Sequence, residues 1–269
     1  MGRLASTFRR LNRANEAALV AYVTVGYPSL ELTRRLVPII ARQGADLIEL
    51  GVPFSDPMAD GATVQRASHA ALEQGVSLSD CLSVAAEARR TNEVPLLFMS
   101  YYNPIFKYGV DEFVRDCSTA GVDGLIIPDL PPEEAGELKS ACDAAAIDLI
   151  FLVAPTSTDE RIQKVAELAS GFIYCVSLTG VTGARTEMGD GVEAMLERVR
   201  RHTDLPLVVG FGISKPEHVA RVSQAADGVV VGSALINVIE SHPDEDEVIL
   251  SVSEYVRDLK EATHRTPLA

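Results

Sequence analysis

The chain has 269 residues, 47% of them hydrophobic, and a formal net charge of −14 from 24 basic and 38 acidic side chains. The acidity excludes a nucleic-acid binder, whose phosphate contacts need clustered Lys and Arg, and no apolar run approaches the roughly 20 residues of a membrane span. The length suits one large α/β domain or two small ones, and with no Trp and few aromatics the core must be Val, Ile, Leu and Ala.

The opening segment, residues 1–13, is basic but lacks the apolar centre of a signal peptide, so a cytoplasmic location is expected. Leu4, Phe8 and Leu11 stand at helical spacing and predict an amphipathic first helix. Short apolar runs rich in Val and Ile then predict strands over 18–24, 46–50, 96–99, 124–127, 149–153, 173–177, 207–210 and 228–231. Helical periodicity falls between and after them, over 30–43, 78–91, 110–120, 133–145, 159–169, 191–202, 216–225, 234–241 and 244–262. Ser157 with Glu160 has a capping-box pattern, and Ser214 with Pro216 marks another helix start.

Continuous apolar strands separated by helices mean a parallel sheet covered on both faces. Eight such units in this length predict an α/β fold of the closed (β/α)8 TIM-barrel type, with an extra N-terminal helix and a short extra helix late in the chain. The first strand is followed by Gly26-Tyr27-Pro28 rather than a Gly-x-Gly-x-x-Gly fingerprint, which argues against a dinucleotide-binding sheet. No linker or composition shift divides the chain, so residues 1–269 are expected to form a single domain.

Cys81, Cys117, Cys142 and Cys175 are irregularly spaced, without a Cys-x-x-Cys pair, and read as buried free thiols. The five histidines, His69, His202, His218, His242 and His264, show no paired spacing, so no metal site is expected.

In such a barrel the reactive groups sit at the C-terminal ends of strands and in the loops that follow. Glu49 lies near the end of the second predicted strand, and a Gly- and Pro-dense loop carrying Asp56 and Asp60 follows at once. A carboxylate at the end of a buried strand needs a reward for its burial, and chemistry at the barrel mouth is the simplest. A carboxyl in an apolar pocket has a raised pKa and can both give and take protons near neutrality. A structural salt bridge for Glu49 and an Asp-Gly turn for Asp60 are the plain alternatives. Asp56 reads as a loop-ordering residue, while Asp129 either orders a neighbouring loop or caps a turn.

Glycines after the last three strands, Gly180-Val181-Thr182-Gly183, Gly210-Phe211-Gly212 and Gly232-Ser233-Ala234, form a phosphate-binding pattern. The short extra helix opening at Ala234 would aim free N–H groups and its dipole at the anion. Lysines 107, 139, 164, 215 and 260 all fall outside the predicted strands, so a Schiff-base lysine in the barrel is not expected. Proton transfer is left to Glu49, Asp60, Asp56, Asp129 and Tyr174.

The segment Ile48-Glu49-Leu50-Gly51-Val52-Pro53-Phe54-Ser55-Asp56-Pro57-Met58-Ala59-Asp60-Gly61 resembles the signature of the tryptophan synthase α chain family. Tyr174, Gly180-Val181-Thr182-Gly183-Ala184-Arg185, Gly210-Phe211-Gly212-Ile213-Ser214 and Gly232-Ser233-Ala234 match the same family in order, so the resemblance covers nearly the whole chain. It implies retro-aldol cleavage of indole-3-glycerol phosphate to indole and glyceraldehyde 3-phosphate, in L-tryptophan biosynthesis. No cofactor is implied in this chain; pyridoxal phosphate is expected only in a partner β chain, in an α2β2 heterotetramer.

By the same resemblance Glu49 is the general acid/base and Asp60 accepts the indole N–H. Tyr174 positions Glu49 or the glycerol chain. Gly183, Gly212, Gly232 and Ser233 hold the phosphate. Tyr22, Leu125, Ile127 and Phe211 wall the indole, and Thr182 meets Asp60 when a loop over 178–189 closes. Exposed apolar groups around 56–58 and 102–106 suggest the partner interface. Two positions depart from the family: Leu178, where some members carry Arg, and Tyr22, where Phe is common. Two other readings stay open, a different phosphate-handling barrel enzyme and a non-catalytic barrel that only binds a phosphorylated ligand.

Overall fold

A computed structural model of the chain describes residues 2–176, 191–210 and 212–265. In chain order the elements are α1 (Arg3–Ala14), β1 (Ala18–Thr24), α2 (Leu30–Arg42), β2 (Leu47–Gly51), α3 (Ala62–Glu73), α4 (Leu78–Arg89), β3 (Leu96–Met99), α5 (Tyr102–Tyr108), α6 (Val110–Ala120) and β4 (Gly124–Ile126). Then follow α7 (Gly136–Ala145), β5 (Asp148–Val153), α8 (Asp159–Leu168), β6 (Ile173–Val176), α9 (Gly191–Arg200), β7 (Leu207–Gly210), α10 (Pro216–Ser223), β8 (Gly228–Val231), α11 (Ser233–Glu240) and α12 (Glu245–Glu261). The strands pair in parallel and in sequence, and β8 returns to β1, so the sheet is a closed barrel.

Strand parity divides the apolar side chains into two cores. Leu19, Ala21 and Val23 of β1 point outward into the layer beneath the helices, with Leu125 of β4 and Leu149 of β5. Their neighbours Ala18, Val20 and Tyr22 point inward and meet Leu47, Leu97, Ile126, Ile150 and Val208 inside the barrel. Both faces of each strand are apolar because both are covered, which is why the strands read as unbroken hydrophobic runs.

Helix α1 closes the N-terminal end. Leu4, Phe8 and Leu11 pack into the inner core, and the Phe8 ring lies 5.9 Å from that of Phe172. Just above this plug, three aspartates at strand starts accept a backbone N–H from the neighbouring strand. Asp46 takes that of Leu19 (3.0 Å), Asp123 that of Leu96 (2.9 Å) and Asp227 that of Leu207 (2.9 Å). Each is also paired with cations: Asp46 with Arg10 and Lys260, Asp123 with Arg89 and Arg3, Asp227 with Arg200 and Arg265. Asp46 is buried and Asp123 and Asp227 partly so, and all three carboxylates are well supplied with hydrogen bonds, as their removal from water requires.

Two helices lie outside the sequence expectations. Helix α3 buries only Val64, Ala67, Ser68 and Ala71, too small an apolar stripe to stand out, and its N-cap Gly61 makes no side-chain cap. Helix α5 is short, starts without a cap at Tyr101 and contains Pro104, so its segment reads as loop. The expected cap of α8 also shifts by one residue. The Thr158 hydroxyl, not that of Ser157, accepts the Arg161 N–H, while Ser157 Oγ accepts from the Ala154 N–H.

Candidate active site

Glu49 sits in β2, beside Tyr22 of β1 and Leu97 of β3 in register. It is fully buried, and neither carboxylate oxygen has a hydrogen-bond partner among the described residues. Burial away from compensating donors pushes its pKa up to about 8.

Asp60 lies on the β2–α3 loop, where the Tyr101 hydroxyl donates to its Oδ2 at 3.0 Å. Desolvation pushes its pKa up to about 6, against the opposing effect of that hydrogen bond. The loop itself is tied to α3. Ser68 Oγ accepts from the Phe54 N–H and donates to the Phe54 carbonyl, and Gln65 Nε2 donates to the Asp60 carbonyl at 2.8 Å. Ser55 Oγ donates to Asp56 Oδ2, in keeping with a loop-ordering Asp56. Asp129 takes the first of its two alternatives: its Oδ1 accepts the Tyr102 N–H at 2.9 Å and so orders the loop after β3.

Both carboxylates face one cavity of about 350 Å³ at the C-terminal mouth of the barrel. Tyr22, Val64, Met99, Tyr174 and Val230 supply its apolar walls, and Gly212, Ser214, Gly232, Ser233 and Asn237 line its other side. Tyr22 and Tyr174 are buried, and burial raises both phenols well above their ordinary value. Thr24 Oγ1 donates to the Tyr22 hydroxyl at 3.3 Å. The Tyr22 ring leans across to β2 over Gly51, where any Cβ would overlap the hydroxyl, so only glycine leaves room for it.

Opposite the carboxylates, Gly212 holds a φ of +79°, a left-handed conformation that favours glycine. Gly232 is the N-cap of α11 and provides no side-chain acceptor, so the first amides of that helix are free to face an anion in the cavity. The helix dipole adds positive character at the same place.

The cavity therefore gathers Glu49, Asp60, Tyr22, Tyr174, Gly212, Gly232 and Ser233 from the sequence-derived set. Thr182, Gly183 and Phe211, with the loop over 178–189, lie outside the described residues. Leu125 and Ile127 do not line the cavity, correcting the expected indole wall: both belong to the outer core beneath the helices. Side chains alternate along a strand, so the residue between them, Ile126, takes the inward position. Met99 of β3 and Val230 of β8 were missed because nothing in a short apolar run marks which parity faces inward, and Val64 of α3 and Asn237 of α11 because they lie on helices whose placement over the mouth only the fold shows. Tyr101 stood in view after the third strand but carried no motif.

A carboxyl poised near neutrality, a second carboxylate beside an apolar slot and a helix N-terminus across from them suit proton transfer on a phosphorylated ligand with an apolar end. Comparison with known proteins decides between barrels that share these parts. The family model for the tryptophan synthase alpha chain matches residues 8–264. The chain belongs to that family.

The tryptophan synthase alpha chain of Roseiflexus castenholzii is 56% identical over 262 residues, covering 97% of this chain and 100% of the relative. That of Geotalea uraniireducens is 55% identical over 240 residues, covering 89% and 90%. Among solved structures, the open form of tryptophan synthase from M. tuberculosis matches with a TM-score of 0.90 at 34% identity, over 99% of this chain and 100% of that one. Tryptophan synthase subunit alpha from Legionella pneumophila matches with a TM-score of 0.91 at 37% identity, over 98% of each.

The protein is accordingly a lyase of tryptophan biosynthesis, and its reaction is the retro-aldol cleavage of indole-3-glycerol phosphate to indole and glyceraldehyde 3-phosphate. An alpha chain of this synthase implies a beta-chain partner. Among the described residues, no helix is long and apolar enough to cross a membrane.

Proposed function

We propose that Glu49 and Asp60 carry the two proton-handling roles of this cleavage, and that the amides around Gly212, Gly232 and Ser233 bind the substrate phosphate. The carrying observation is the Glu49 carboxyl: fully buried, without a hydrogen-bond partner among the described residues, and facing the same cavity as Asp60. In this reading the protonated carboxyl of Glu49 delivers its proton to indole C3. The ring nitrogen takes on positive character, and the Asp60 carboxylate accepts its N–H and stabilises that charge. The Glu49 carboxylate then removes the proton of the glycerol hydroxyl next to C3. The C–C electron pair returns to the ring, releasing indole and the aldehyde, and Glu49 ends the cycle protonated again.

Tyr22 and Tyr174 flank Glu49 in this reading, and Thr182, Gly183 and Phe211 complete the set. The chemistry uses no cofactor in this chain, and pyridoxal phosphate belongs to the beta chain. We further propose that the chain is a single domain working in the cytoplasm within an α2β2 assembly. Support for a docking face comes from Met58 and Phe106, apolar side chains 92% and 66% exposed that follow β2 and β3 at the active-site end. The face differs in detail from the expectation, since 102–106 is helical and Ile105 within it is buried.

The decisive assay follows indole and glyceraldehyde 3-phosphate released from indole-3-glycerol phosphate. Glu49→Gln keeps the shape and removes the transferable proton, and a loss of at least 10²-fold in kcat is expected. Wild-type turnover in that variant rejects the assignment.

A further inference from the structure

We propose that Tyr101 is a positioning residue for Asp60, aiming one carboxylate oxygen at the substrate, and that Asp129 holds Tyr101 in place from behind. This inference rests on the role given to Asp60 above.

The geometry around Tyr101 fixes the direction of its hydrogen bond. Its hydroxyl accepts the Ala59 N–H at 3.0 Å, and an amide N–H can only donate. The phenolic proton is therefore left for Asp60 Oδ2, 3.0 Å away. Among the described residues that is the one side-chain bond Asp60 makes, so Oδ1 is left for a ring N–H. The Tyr101 ring cannot swing away: it is 4% exposed and stacks on Phe54 with centroids 5.0 Å apart and planes 25° apart.

The same hydroxyl thus grips two successive residues of the β2–α3 loop, the Ala59 amide and the Asp60 carboxylate. Asp129, after β4, binds the Tyr102 N–H at 2.9 Å and anchors the backbone next to the ring. Strands β2, β3 and β4 are consecutive neighbours in the barrel, so three adjacent loops are joined by three hydrogen bonds, which run from Asp129 to the Ala59 amide and the Asp60 carboxylate. A hydrogen bond to an ionised carboxylate favours the ionised form, which is the form that accepts an N–H. Among the described residues the other titratable side chains facing Asp60 are Tyr22 of β1, Glu49 of β2 and Tyr174 of β6, and none of these is a cation that would hold it ionised instead.

The test compares Tyr101→Phe, Asp60→Asn and the double variant by the pH profile of kcat/KM for indole-3-glycerol phosphate cleavage. Tyr101→Phe removes one oxygen, and urea unfolding checks that the fold is retained. We expect kcat/KM to fall about 10-fold or more, the range of a hydrogen bond to a charged group, and its acidic limb to move to higher pH. In the Asp60→Asn background the same change should alter kcat/KM by less than twofold. Asp129→Ala should shift the acidic limb in the same direction by a smaller amount.

An equal loss from Tyr101→Phe in both backgrounds, with the acidic limb unmoved, makes Tyr101 merely structural and overturns the proposal. An unmoved limb in Asp129→Ala overturns the part given to Asp129. Wild-type kinetics and pH profile in Asp60→Asn itself would instead overturn the reading of Asp60, an outcome distinguishable because it appears without any change at Tyr101.

Discussion

Asp46 and Glu49 lie three residues apart, one just before β2 and the other in the middle of it, and their carboxylates meet opposite surroundings. Asp46 accepts the Leu19 N–H and is paired with Arg10 and Lys260. Glu49 is equally buried and has no partner among the described residues. Asp46 faces the N-terminal end, where carboxylates stitch strand to strand. Glu49 faces the mouth, where its unmet hydrogen-bonding capacity remains available to a substrate. A buried carboxyl without a partner costs stability, and its persistence at this end of the barrel supports the proton-transfer role proposed for it.

That cost should be measurable. The folded pKa of Glu49, about 8, lies above its ordinary value of 4.5, so the group takes up a proton on folding. Its contribution to stability is fully present below about 4.5 and is lost as pH rises through about 8. At pH 7 the penalty relative to acid conditions is about 3 kcal/mol, at 1.36 kcal/mol per pKa unit. Glu49→Gln removes it, so the stability of the variant relative to the wild type should increase between pH 5 and pH 8. Urea unfolding at the two pH values reads this, and a pH-independent difference would refute it.

The catalytic pH profile should be bell-shaped. Cleavage in the proposed mechanism starts with Glu49 protonated and Asp60 ionised, so kcat/KM should be highest between about 6 and about 8 and fall on both sides. Asp60→Asn should lose the acidic limb along with most of the activity. A profile flat from pH 5 to pH 9 contradicts the assignment of both groups.

Ser233 offers a test of the phosphate site that leaves the fold intact. It opens α11, and a carboxylate there suits a helix N-terminus. Ser233→Asp should therefore keep or slightly raise thermal stability while repelling the substrate phosphate. KM for indole-3-glycerol phosphate is expected to rise at least 10-fold, and inhibition by glycerol 3-phosphate to weaken in parallel. An unchanged KM would move the phosphate elsewhere.

The helix α1 plug should matter to stability and not to chemistry. Phe8 is 6% exposed and packs on Phe172 at the end of the barrel opposite the cavity. Phe8→Ala should cost about 3–5 kcal/mol of unfolding free energy, read from the urea midpoint, with kcat at 25 °C within about twofold of wild type. A large loss of kcat in a folded variant would show that the two ends of the barrel are coupled.

The strands were legible because each is apolar or nearly so, with Glu49 of β2 the telling exception, and β1, β3, β7 and β8 fall at the expected residues. Helices α3 and α5 were not, since neither carries a strong apolar stripe or a side-chain cap at its start. Glu49 and Asp60 were visible as carboxylates where a strand meets a loop. Leu125 and Ile127 show where such reading stops: a run apolar on both faces holds no sign of which residue looks inward, and the choice fell one residue away from Ile126.

What the sequence determined by itself was local or cumulative: strand and helix alternation, the acid-bearing loop, the glycine-bearing loops after the late strands and the family. These follow from residue type and order, which each segment carries wherever it is placed. Only the tertiary structure decided which strand face is interior, that Asp46 is saturated while Glu49 has no hydrogen-bond partner among the described residues, and that Tyr101 grips Asp60. Those facts depend on barrel closure, which sets strand register and excludes water, so that groups far apart in the chain control each other's hydrogen bonds and protons.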